Sequence, residues 1–72
     1  MAVEIKLLDV VALTSDLTEH GLVRGQVGTV VELLAQNVFE VEFSDIERRA
    51  YAEVAVPADK LLVLHHEPQQ AA

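Results

Sequence analysis

Val38-Phe39-Glu40-Val41-Glu42-Phe43 alternates apolar and acidic residues from Phe39 onward. Successive side chains of a strand point to opposite faces, so Phe39, Val41 and Phe43 belong to a core while Glu40 and Glu42 belong to water. A helix would scatter the same residues around its circumference. This stretch therefore reads as a half-buried strand, and the chain on either side repeats the theme. Before it, Ala35-Gln36-Asn37 supplies a turn, with Asn37 suited to positive φ. Val27 to Leu34 is rich in residues that suit a pleated surface. After it, Ser44-Asp45-Ile46-Glu47-Arg48 turns the chain, and Arg49 to Val56 returns as another strand. Ala50, Ala52, Val54 and Val56 share one face of that strand and Tyr51, Glu53 and Ala55 the other, and the pattern leaves open which face is buried.

Further out, Leu7 to Leu13, apolar but for Asp9 and with Val10, Val11, Ala12 and Leu13 together, is expected to form a first strand buried on both sides. A long surface loop, Thr14 to Arg24, follows it. Pro57-Ala58-Asp59-Lys60 reads as a tight turn of 3₁₀ type, and Leu61 to Leu64 as the closing strand. His65 to Ala72 is polar and reads as a flexible tail. The expectation is an all-β fold, one small five-stranded SH3-like barrel over residues 1–64, with an open five-stranded sheet as the alternative. Phe39, Val41 and Phe43 should centre the core, with Val11, Val30 and Leu62 beside them.

Composition bounds the function. A chain of 72 residues hides only about 60% of its unfolded surface, and without cysteine neither disulfides nor zinc thiolates reinforce it. Hydrophobic residues make up 51% of the chain and the mean hydropathy is +0.30, high for so small an interior, so some apolar surface is expected in an interface. Twelve acidic against five basic residues give a net charge of −7, which phosphate backbones repel. Apolar runs are too short to span a membrane, and Met1-Ala2-Val3-Glu4 lacks the basic start of a signal peptide. The expected home is cytoplasmic, with no nucleic-acid and no membrane partner.

Four blocks carry a resemblance: Leu8-Asp9-Val10-Val11-Ala12-Leu13, the stretch from Glu19 to Glu32, Phe39-Glu40-Val41-Glu42-Phe43 and Val56-Pro57-Ala58-Asp59-Lys60-Leu61. In order and spacing they resemble a family of short bacterial proteins known only as a domain of unknown function, which implies no activity. More remotely, Gly25-Gln26-Val27-Gly28-Thr29-Val30 is similar to the glycine turn of the KOW motif of SH3-like ribosomal and transcription-associated proteins. Those are basic around the turn, whereas here only Arg24 is cationic.

Catalysis has little to work with. Ser15 and Ser44 have no adjacent histidine, and Glu40 and Glu42 are expected in water, where pKa shifts are small. The chain is read as a non-enzyme without cofactor or metal. His65 and His66, adjacent on a strand, would point apart rather than share an ion. Gly25 and Gly28 are read as turn glycines rather than a phosphate cradle, since no lysine and helix follow. What remains is protein binding. Asp16, Glu19 and His20 would rim Leu17 in the long loop, with Tyr51 as a second anchor and the Arg48–Arg49 turn as another docking point. The preferred partner is a basic protein masked by an acidic, antitoxin-like or inhibitory module. A structural accessory subunit or homo-oligomer is the alternative.

Overall fold

The computed structural model describes residues 4–45, 47 and 49–64. Five strands, β1 (Val10–Leu13), β2 (Val27–Ala35), β3 (Val38–Ser44), β4 (Ala50–Pro57) and β5 (Leu61–Val63), form one antiparallel sheet in the order β4-β3-β2-β1-β5. Two 3₁₀ turns, Thr18–His20 and Ala58–Lys60, interrupt the connections. β4 and β5 are the edges, so no β4–β5 ladder closes the sheet into a barrel among the described residues. The expected tail, residues 65–72, lies outside the described residues. No helix among those described is long and apolar enough to cross a membrane.

The alternating segment, residues 38–43, folds as its pattern requires. Phe39, Val41 and Phe43 are buried, and Val11, Leu13, Leu22, Val30, Val54, Val56 and Leu61 complete the core. In β4 the Val54 and Val56 side faces inward, leaving Tyr51, Glu53 and Ala55 exposed. Leu62 was expected in the core and is instead 56% exposed, with Leu61 buried in its place. The reason is register: the 3₁₀ turn ends at Lys60, Leu61 pairs with Leu13, and a shift of one residue exchanges the faces of a strand.

The first strand is shorter than its apolar run. The Asp9 carboxylate accepts the Lys6 N–H at 2.8 Å, and the Asp9 N–H donates to the Lys6 carbonyl at 3.1 Å. That local turn competes with the ladder; it leaves Leu8 at φ 70° and exposes Leu7 and Leu8. Asn37 adopts φ 62° in the β2–β3 turn, as its residue type suits, and Gly25 takes φ 92°. Gly28 differs from its expected turn role. It lies within β2, where a Cβ would meet Val41 Cγ1 at 2.6 Å, the Glu42 carbonyl at 2.8 Å and Phe43 Cδ1 at 2.9 Å, so close packing and not positive φ requires glycine.

Candidate binding cleft

The loop between β1 and β2 is held from within. Leu17 and Leu22 exchange backbone hydrogen bonds of 2.9 and 3.2 Å, and the Leu22 side chain is buried in the core at 2% exposure. Gly21, at φ 68°, closes the 3₁₀ turn by donating its N–H to the Thr18 carbonyl. Asp16 Oδ1 accepts the Arg24 N–H at 2.8 Å, and Gln26 Oε1 accepts the Val23 N–H at 2.6 Å. The apolar residues of the loop thus divide. Leu22 plugs the sheet, Leu17 packs partly against the core and Val23 stays exposed.

This scaffold opens a cleft of about 360 Å³ lined by Asp16, Leu17, Thr18, Glu19, His20, Ala55, Pro57 and Lys60. Four of the seven residues singled out from the sequence, Asp16, Leu17, Glu19 and His20, therefore meet in one place. Ala55, Pro57 and Lys60 were missed. They belong to the end of β4 and its 3₁₀ turn, and nothing local in the sequence says that this turn folds opposite the long loop. Chemically the cleft lining combines the apolar side chains of Leu17, Ala55 and Pro57 with two carboxylates, an imidazole and one ammonium group. Such a lining recognises a side chain or a short segment by contact and charge.

The other candidates lie apart from it. The Tyr51 hydroxyl accepts a hydrogen bond from Gln26 Nε2 at 2.9 Å, a contact that ties β4 to the start of β2, and Tyr51 is not in the cleft lining. Arg49 is engaged within its own turn, Nε lying 3.4 Å from Asp45 Oδ2 and Nη2 2.7 Å from Glu47 Oε2. Asp45 Oδ1 also accepts the N–H groups of Glu47 and Arg49. Arg48, His65 and His66 lie outside the described residues. Among those described, no three His, Asp or Glu side chains come together as ligands for a metal ion.

One acidic group departs from expectation. Glu40 was expected in water with little perturbation, yet its pKa is raised above 4.5, first by a side-chain hydrogen bond with Glu53, then by desolvation and by the charges of Glu53 and Glu32. Register is the cause, since it sets Glu32 opposite Glu40 and Glu42 opposite Glu53 on one sheet face. No curated protein and no solved structure matches the chain. A family model does match, over residues 7–63, and the chain belongs to that family, described as Domain of unknown function (DUF4926).

Proposed function

We propose that this chain is a non-enzymatic protein-interaction module whose cleft, between residues 16–20 and 55–60, docks a basic segment of another protein and masks it as an antitoxin or inhibitor would. The observation that carries this reading is the convergence of Asp16, Leu17, Glu19 and His20 on one cleft, in a chain of net charge −7. Opposite charge steers the encounter, and Leu17, Ala55 and Pro57 supply apolar contact once water leaves. The strand order β4-β3-β2-β1-β5, with a long first loop and a 3₁₀ turn before β5, supports an SH3-like barrel as the finer description of the fold. Loops in such barrels commonly frame the binding surface.

A second reading is a homo-oligomer or accessory subunit. It is favoured by a row on the outer sheet face, where Ala12 pairs with Val27 on one side and Leu62 on the other and both flanking residues are about half exposed. Co-purification from the native host with mass spectrometry, followed by light scattering of the purified chain, separates the two. A basic heterologous partner whose affinity falls about tenfold with Glu19→Lys, at unchanged Tm, supports the first. A symmetric particle of this chain alone supports the second.

A further inference from the structure

The two edges of the sheet are unequal, β5 having three residues and β4 eight. Which backbone groups β4 presents follows from its register. The Ala58 N–H donates to the Asn37 carbonyl at 2.8 Å, and that pair continues the register of Pro57 opposite Val38 and Val56 opposite Phe39. Hydrogen-bonded and non-hydrogen-bonded pairs alternate along an antiparallel ladder. Val56 and Val54 therefore bond to β3, while the N–H and C=O groups of Glu53 and Ala55 point away from the sheet. Among the described residues no other strand pairs with β4. Pro57, the next residue in that outward series, has no N–H and ends the run of donors.

Charge decides what fits this edge. Glu53 stands on the outer face opposite Glu42, and beyond Ala55 and Pro57 the cleft adds Asp16 and Glu19. A second copy, itself at −7, would bring carboxylates to carboxylates across the new pair. On the inner face Val54 and Val56 are already buried in the core, and the apolar positions of an added strand would continue that face beyond them. We propose that the free edge of β4 takes up an extended segment of the basic partner as a sixth strand, with Lys or Arg at alternate positions toward Glu53 and Val or Ile at those between. This rests on the partner reading above and adds the way in which the partner is held.

The test uses the full chain and an acetylated, amidated peptide of alternating lysine and valine, followed by amide hydrogen exchange and by affinity. The Glu53 and Ala55 amides should exchange fast in the free protein and slow on binding. Ala55→Pro removes one outward donor and no ladder bond, and should weaken the peptide about tenfold or more at nearly unchanged Tm. Glu53→Lys should weaken it comparably, and so should N-methylation of the peptide amides that face β4. Equal affinity for the N-methylated peptide would overturn the proposal. So would amides at Glu53 and Ala55 already protected in a free dimer, which would assign the edge to a second copy. If Glu19→Lys abolishes binding while Ala55→Pro and N-methylation leave it intact, strand addition is wrong and the cleft reading stands. If none of these changes matters, both readings fall.

Discussion

At the scale of single residues, Phe43 and Gly28 form one contact. Phe43 is fully buried, and Phe43→Ala should cost about 3 to 5 kcal/mol, near the whole stability of a small domain. Urea denaturation measures it, and a variant melting like the parent would displace Phe43 from the centre of the core. Gly28→Ala forces a methyl against the Glu42 carbonyl and Phe43 ring and should destabilise by about 1 to 3 kcal/mol. Glu40 adds a dependence on pH. Its pKa is raised in the folded state, so the fold binds this proton more tightly than the unfolded chain, and the associated stability is present below the ordinary value of 4.5 and lost as pH rises through the folded pKa. Glu40→Gln should therefore raise Tm at neutral pH and flatten the profile across that window. A Tm lowered at neutral pH would show that the ionised carboxylate is the stabilising form. The alternation of β3 made the facing of Glu40 legible, but its perturbation depends on Glu53 and Glu32, which only strand register brings near.

At the scale of elements, the long loop frames the cleft. Leu22→Ala should cost about 2 to 5 kcal/mol because the side chain plugs the core, and Asp16→Ala about 1 kcal/mol through the lost acceptor for the Arg24 N–H. Leu17 packs partly against the core, so its truncation lowers stability together with any binding and cannot report on the cleft alone. Glu19, exposed on the 3₁₀ turn, is the clean probe, and Glu19→Lys should leave thermal melting unchanged. The sequence announced this loop by setting Leu17, Leu22 and Val23 among polar residues. That Leu22 is buried while Leu17 is only partly so is a tertiary outcome, reached once the Leu17–Leu22 bridge closes the loop on itself in a way that no periodic pattern reveals.

For the whole molecule the charge of −7 makes a prediction independent of the cleft. Fluorescence anisotropy should detect no binding to duplex DNA or single-stranded RNA at physiological salt, because few cations are present to replace condensed counterions. Micromolar binding that falls steeply with added salt would reverse this and restore weight to the KOW-like turn. The free edge of β4 and the exposed row of Val27, Ala12 and Leu62 are also properties of the assembled sheet, since each joins residues from different strands.

By itself the sequence determined the all-β class, the β2–β3 hairpin and most of the core, because period-two alternation and turn residues act over a few neighbours. It also determined the acidic balance of the chain. Only the tertiary structure decided that Leu61 and not Leu62 is buried, that Leu7 and Leu8 leave the first strand, and that Gly28 is a packing glycine. Only it brought Ala55, Pro57 and Lys60 to the loop and left β4 without a second neighbouring strand among the described residues. Those outcomes depend on register and on contacts between segments far apart in the chain, where a shift of one residue or one local turn exchanges what is buried for what is free.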